Sequence, residues 1–410
     1  MLSVGFCFDR PWSAYGWSHI ASVVCLFLHR YRWGLQIRGD ERGFLEKAVQ
    51  YRNRGLDLLT LEKSPSLQDS FGGGLYTSLQ TGEFRLPVRG PFDLFIVILK
   101  TLRTLSRFSS LRPFAVYAYN QDPENVVTGL ALKLILGRPL VIVYHHITRL
   151  SFAPFGIGIA ERRGMGYGLL SSIRLSIVPA LTRKSVSYSD LHLALSTSTK
   201  RDVEAWAGVE NCIVVGNGVD TGKFRPVRAE KEYDAAFLGR IVGQKGIDTL
   251  LKAWSLVLQR KPGSKLVLIG GADPDQMRHF GRLAEDIGVA NSVVFKGFLS
   301  DEEVVKTLNA SRMFVFPSLK EGFAQAVSQA MACGLCCVIS DIPALRETYG
   351  DVAILVPPSD PEALAEKVTT MLEYYSDLSE CGARSRQFIM RFDWGDVVEK
   401  ELRALASLAK

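Results

Sequence analysis

The chain has no long apolar run near its start: the stretch from Ala21 to Leu28 falls well short of the ~20 residues a helical membrane span requires. Met1 to Asp9 lacks the basic n-region of a secretory signal. Cysteines number seven, an odd count, and fall in no disulfide-like spacing. The C-x-x-C from Cys333 to Cys336 has no second pair to complete a zinc site, and Cys336 and Cys337 open an apolar run, so they read as small buried hydrophobes. These absences lead us to expect a cytoplasmic protein with reduced thiols, with peripheral attachment to a membrane left open. Zinc-finger spacing and RNP-like motifs are lacking too, so nucleic acid is not an expected partner. The D-x-D spacing at Asp273-Pro-Asp275 reads as a helix-capping turn, not a metal site.

What is there is a globular composition over 410 residues, 47% hydrophobic and 22% charged, enough for two domains with their own cores. The net charge of +7 is unevenly placed. Residues 1–222 carry 25 Lys and Arg against 17 Asp and Glu, whereas residues 223–410 carry 24 against 25. A basic first half fits an anionic partner, such as a phosphorylated acceptor or a lipid surface, and equally fits a solubilising Arg-rich surface. Within it, residues 149–187 interleave Phe152, Phe155, Ile173 and Leu181 with Arg149, Arg162, Arg163, Arg174 and Lys184. That mixture suits an anionic membrane, and equally a buried helix with a basic outer face.

Strand and helix signals alternate along both halves. In the first, strands are expected at 2–8, 56–61, 114–119, 140–144 and 191–195. Helices are expected at about 17–31 and at 125–136, the latter stopped by Gly137 and Pro139. Residues 63–90, with Gly72-Gly-Gly74, are expected to form a flexible loop. A glycine-rich linker at 215–226 leads to a second series of strands, at 235–238, 266–269, 293–295, 313–316, 336–339 and 353–356, separated mostly by helices. The fold class is α/β with parallel, doubly wound sheets.

The densest information lies from Glu321 to Gly334, between two strand-like runs. A carboxylate in the loop and a polar group eight residues on, about two helical turns away, reach one ligand from one side. The helix N-terminus between them offers unpaired N–H groups suited to phosphate. Earlier, Gly239-Arg-Ile-Val-Gly-Gln-Lys-Gly246 places Arg240 and Lys245 after a parallel strand, where such sheets bind ligands. A guanidinium fork and an ammonium both suit phosphate.

These stretches resemble the family 4 glycosyltransferases, which carry a Glu-x7-Glu signature; here it is Glu321 and Gln329, and Ala324 stands where Gly is usual. Asn217-Gly-Val-Asp220, the Gly239–Gly246 stretch, Val293 to Asp301, Ser340-Asp-Ile-Pro343 and Leu355 to Leu364 follow in family order. The resemblance covers the second half, and the first matches in outline only. It implies a GT-B fold, two Rossmann-like domains facing each other across a cleft. Residues 1–222 would bind the acceptor, residues 223–392 would bind a nucleotide-sugar donor, and a closing helix at 393–410 would return to the first domain.

The resemblance gives Arg240 and Lys245 to the donor diphosphate, Glu321 to the donor-sugar hydroxyls and Gln329 to the ribose. Gly322, Phe323 and Gly297 fall with them in donor-binding motifs. Glutamine brings one acceptor oxygen and no charge where the family has a carboxylate. In the first domain, His145 follows a strand at the place where the family often has a histidine near the reacting sugar. His146 would face the other way. Gly16 would let the first loop approach the ligand closely. No cofactor or metal is implied, because cations and backbone N–H groups stabilise the leaving diphosphate.

The expected activity is retaining transfer of a sugar from a nucleotide-diphosphate sugar to a hydroxyl acceptor, lipid-linked or another glycan. Alternatives are a GT-B sugar-nucleotide epimerase, a phosphorylase, or a non-catalytic nucleotide-sugar-binding protein, the last made thinkable by Gln329.

Overall fold

The computed structural model describes residues 22–26, 39–54, 57–62, 77–80, 95–96, 98–100, 103, 114–145 and 181–409. The chain divides into two compact units, one of residues 1–194, 202–213 and 398–410, the other of residues 195–201 and 214–397. The sequence-based boundary at 222 therefore differs from this division. Residues 214–222 go with the second unit because Val219 is buried in its core and its N–H donates to the Phe392 carbonyl at 3.0 Å.

The first unit holds Ser22–Leu26 (β1), Asp57–Glu62 (β2), Thr77–Gln80 (β3), Ala115–Ala118 (β4), Leu140–Tyr144 (β5), Leu191–Ala194 (β6) and Cys212–Val214 (β7). They form one sheet in the order β3-β2-β1-β4-β5-β6-β7, parallel from β3 through β6. Strands β4, β5 and β6 are buried along their whole length, as parallel strands covered on both faces are. Helix Pro123–Leu136 starts with Pro at its first turn and stops at Gly137, whose φ of 62° is left-handed and whose N–H caps the Lys133 carbonyl.

Two expectations are corrected here. Residues 22–26, placed within a helix, are strand β1, paired with β2 on one side and β4 on the other. A continuous apolar run such as Val23-Val24-Cys25-Leu26 has no period to separate helix from buried strand, and the β-branched pair favours the strand. The 63–90 stretch contains strand β3. The strand expected at 2–8 lies outside the described residues.

The second unit is built from Tyr233–Leu238 (β8), Leu266–Ile269 (β9), Val293–Gly297 (β10), Ser311–Phe316 (β11), Cys336–Ser340 (β12) and Ile354–Val356 (β13). All run parallel in the order β10-β9-β8-β11-β12-β13, so the winding reverses between β8 and β11. Between them lie helices Ile247–Arg260, Pro274–Asp286, Asp301–Asn309, Gln325–Ala332 and Pro343–Tyr349, followed by Pro361–Glu373 and Tyr375–Ile389. Caps are read directly from the sequence. Asp273 accepts from the N–H groups of Asp275 and Gln276, and Ser300 with Glu303 makes a reciprocal capping box.

The thiol expectation is also corrected. Cys336, the first residue of β12, is joined to Cys381 of helix Tyr375–Ile389 by a disulfide, with Cα atoms 5.1 Å apart and both residues buried. Packing of that helix on β12 brings together cysteines 45 residues apart, a distance over which spacing patterns carry no signal. Cys333 and Cys337 are free and buried, and burial pushes the Cys333 thiol up to about 12.

Candidate functional site

Ligands of doubly wound sheets sit at the carboxyl ends of the strands where the winding reverses, here β8 and β11. The loop after β8 carries Arg240 and Lys245; the loop after β11 carries Ser318 and Glu321. The two loops are tied together. The Leu319 N–H donates to the Gln244 carbonyl at 2.9 Å. Gly246, with φ 72°, lets its backbone lie against Pro317, where an added Cβ would fall 1.9 Å from the Pro317 carbonyl oxygen.

That closeness brings Lys245 Nζ to 2.5 Å from Glu321 Oε1, an ion pair with side chains 16% and 9% exposed. Lys245 Nζ also lies 5.4 Å from the centre of the Phe316 ring. Ser318 Oγ donates to the same Glu321 oxygen at 2.6 Å. Arg240, by contrast, is exposed and makes no ion pair or side-chain hydrogen bond among the described residues. Sequence reasoning placed both cations on one anionic ligand; in the structure only Arg240 is uncommitted.

Glycines line neighbouring strand ends. An added Cβ at Gly270 would fall 2.0 Å from the Gly239 carbonyl oxygen, and one at Gly271 would fall 1.8 Å from the Phe298 ring. Gly297, at φ 65°, faces open space, and its carbonyl accepts from the Gly270 N–H at 2.7 Å. The Phe298 ring is half-exposed.

Helix Gln325–Ala332 follows Glu321 directly, and no side chain caps its N-terminus. Gly322 is buried in the turn before it. Gln329 is 6% exposed, so it is not the surface residue of an ordinary amphipathic helix, and its side chain makes no hydrogen bond among the described residues. The Phe323 ring packs 5.7 Å from Tyr349 and 6.4 Å from Phe392, so its side chain serves the core edge. Tyr349 buttresses the helix start: its hydroxyl donates to the Ala324 carbonyl at 3.0 Å and meets Ser328 Oγ at 2.8 Å, while burial holds its pKa above the usual phenol range. Sequence reasoning missed Ser318 and Tyr349, since a lone Ser or Tyr carries no spacing signal.

Arg386 anchors the far end of this helix. Its guanidinium donates to the carbonyls of Ala332 at 2.7 Å, Phe224 at 2.9 Å and Thr221 at 3.0 Å.

In the first unit, His145 closes β5. Its Nε2 lies 2.9 Å from the Tyr119 carbonyl, which only accepts, so Nε2 carries the proton. The Tyr119 ring stacks on to a buried cluster in which Lys47 Nζ lies 2.5 Å from Glu401 Oε2 and 5.3 Å from the Tyr119 ring centre. The hydroxyls of Tyr51 and Tyr117 both donate to Glu401 Oε1. Burial, then the Glu401 charge, holds the Tyr117 pKa well above the usual phenol range. Helix Trp394–Ala406 supplies Glu401; its residues from 398 on belong to the first unit. Gly16, His146 and most of the basic-apolar segment lie outside the described residues.

Residues 219–388 match the family Glycosyl transferases group 1. The serotype-specific mannosyltransferase WbdA of Escherichia coli is 31% identical over 179 residues, 42% of this chain, which spans 21% of that protein's length. Alpha-maltose-1-phosphate synthase of Mycolicibacterium smegmatis is 29% identical over 307 residues, 67% of this chain and 75% of that protein. Among solved structures, Anabaena HepE, in complex with UDP and glucose, superposes with a TM-score of 0.72 at 19% identity, covering 94% of this chain and 100% of that one. The fold is GT-B.

Proposed function

We propose, from the match of residues 219–388 to the group 1 glycosyl transferases, that the protein is a retaining glycosyltransferase, moving a sugar from a nucleotide-diphosphate donor to a hydroxyl acceptor. The observation that carries this reading is the cluster at the β8/β11 reversal, where an uncommitted Arg240, the Lys245–Glu321 pair and an uncapped helix N-terminus converge on one strand edge. Departure of the diphosphate leaves charge that Arg240, Lys245 and the helix N–H groups stabilise without a metal. Glu321 accepts hydroxyls of the donor sugar. Gln329 accepts a ribose hydroxyl through its amide oxygen, with Gly297 and Gly322 leaving the donor room beside the backbone. His145, fixed by Tyr119, serves the reacting sugar.

The experiment is a panel of nucleotide sugars, UDP-glucose among them, read by release of nucleotide with and without acceptors. Acceptor-dependent release supports transfer. Interconversion of donor alone would point to an epimerase, a requirement for phosphate to a phosphorylase, and binding without turnover to a non-catalytic protein.

The acceptor we propose is lipid-linked or phosphorylated and met at an anionic membrane face. No helix among the described residues is long and apolar enough to cross a membrane, so the contact proposed is peripheral. In its favour, Leu134 and Ile135, at 74% and 60% exposure, stand on a helix whose Lys133 bonds the Tyr188 carbonyl at 2.8 Å; exposed Tyr188 and Leu181 flank Lys184. Binding to anionic liposomes should be clear at low salt, fade as salt rises, and weaken in a variant with Arg162, Arg163, Arg174 and Lys184 changed to Gln. Equal binding to neutral liposomes would count against it.

A further inference from the structure

Glu321 has two carboxylate oxygens, and the structure treats them differently. Oε1 takes Lys245 Nζ at 2.5 Å and Ser318 Oγ at 2.6 Å, whereas Oε2 takes no hydrogen bond among the described residues. Ser318 is fully buried, so no water replaces its hydroxyl. Its other neighbours are the carbonyls of Gln244 and Lys320, at 3.3 and 3.4 Å; all three partners only accept, and its single proton goes to the nearest, the carboxylate.

We propose that Ser318 is a positioning residue of the site: its hydroxyl pins Glu321 Oε1, leaving Oε2 as the one oxygen presented to a hydroxyl of the bound sugar. This rests on the reading of Glu321 as the sugar-binding carboxylate. Lys245 cannot do the same work alone. Its ammonium ends a flexible four-carbon stem, and in the proposed reaction it turns toward the leaving diphosphate. Ser318 stands on the rigid end of β11, two residues past Phe316, with a one-carbon side chain. When the ammonium turns away, the hydroxyl is the contact that keeps the carboxylate plane fixed, and that moment is the one in which sugar orientation decides the rate.

The test is Ser318→Ala, with Ser318→Cys as a second variant that keeps the volume and weakens the donor should the alanine fail to fold. Turnover should fall about ten- to hundredfold, the cost of one hydrogen bond to a charged group. Affinity for the free nucleoside diphosphate, which the hydroxyl does not touch, should stay within about twofold. Added to Glu321→Gln, the change should cost almost nothing more, because both act through one carboxylate. Crystal structures of wild type and variant should show the Glu321 side chain rotated once the hydroxyl is gone. Wild-type turnover in both variants, an independent loss on top of Glu321→Gln, or a parallel loss of nucleotide affinity would overturn the proposal. Should the wild type release nucleotide from no donor, the transferase reading fails by itself. The crystallographic comparison still decides the contact: a carboxylate unmoved in Ser318→Ala refutes the positioning role.

Discussion

The carboxyl strand ends of the two sheets are made of opposite materials. In the second unit, β8, β9 and β10 end in Gly239, Gly270 with Gly271, and Gly297, and at Gly270 the main chain lies too close to the Gly239 carbonyl for any side chain. In the first unit, β4 carries Tyr117 and is followed by Tyr119, whose ring lies 5.2 Å from His145 and 5.0 Å from Phe44, over a buried Lys47–Glu401 pair. One edge is mostly bare main chain, the material on which the proposed donor's phosphates would settle. The other is a filled aromatic and ionic cluster that holds a single histidine in place. Damage to the first should be felt as chemistry, and damage to the second as stability.

The sharpest break on the stability side is Glu401→Ala. It strands the Lys47 ammonium and the Tyr117 hydroxyl in a site with no solvent, a loss of about 3–5 kcal/mol. Denaturant unfolding followed by fluorescence would measure it; a change under about 1 kcal/mol would mean the cluster is not closed in solution.

On the chemical side, Arg240→Ala and Lys245→Ala should each cut turnover by about 10²–10³ with melting temperature held. They should then diverge. Arg240→Ala removes a cation with no other commitment and weakens nucleotide binding directly, whereas Lys245→Ala also leaves the Glu321 carboxylate, still held by Ser318, without its counter-ion and should impair selection among sugars. Identical donor profiles for the two variants would argue that the ion pair has no part in the site.

His192, fully buried on β6 beside the Tyr144 hydroxyl at 2.9 Å, has its pKa pushed by burial from 6.5 down to about 4. The unfolded chain therefore takes a proton that the folded chain refuses. Stability is complete above pH 6.5 and falls as pH drops toward 4, by on the order of 3 kcal/mol. Thermal melts across that range should show the loss, and His192→Gln should flatten it. The smallest effect expected is Gln329→Glu, which restores a carboxylate beside the donor: transfer is retained and donor affinity by calorimetry is equal or up to about tenfold tighter. Weaker binding by Gln329→Glu alongside an unaffected Glu321→Gln would separate these residues from the donor.

Much of the bare edge was legible before any coordinates. A loop of glycines with Arg240 and Lys245, and a carboxylate before an amphipathic helix, express local requirements of turn and helix end, and local requirements are written in consecutive residues. The filled edge was not. Lys47 and Glu401 are 354 positions apart, and neither is unusual in its own helix; only folding makes their charges partners. Cys336 and Cys381 escaped for the same reason. Strand β1 escaped for another: an apolar run buried on both faces has no periodicity to betray it. Gln329 shows the limit of motif reading, since its place was given by spacing but its near-complete burial was not.

The contact of Gly246 with Pro317 has a consequence for engineering. Two left-handed glycines of the second unit would behave as opposites in a saturation library sorted for folded protein. Position 297, open on the side where a Cβ would project, should enrich Asn and Asp beside glycine, since both accept that backbone conformation. Position 246, where the same Cβ would meet a carbonyl oxygen at 1.9 Å, should return glycine alone. Any design that remodels the loop after β8 must therefore redesign the loop after β11 with it, as a single cassette.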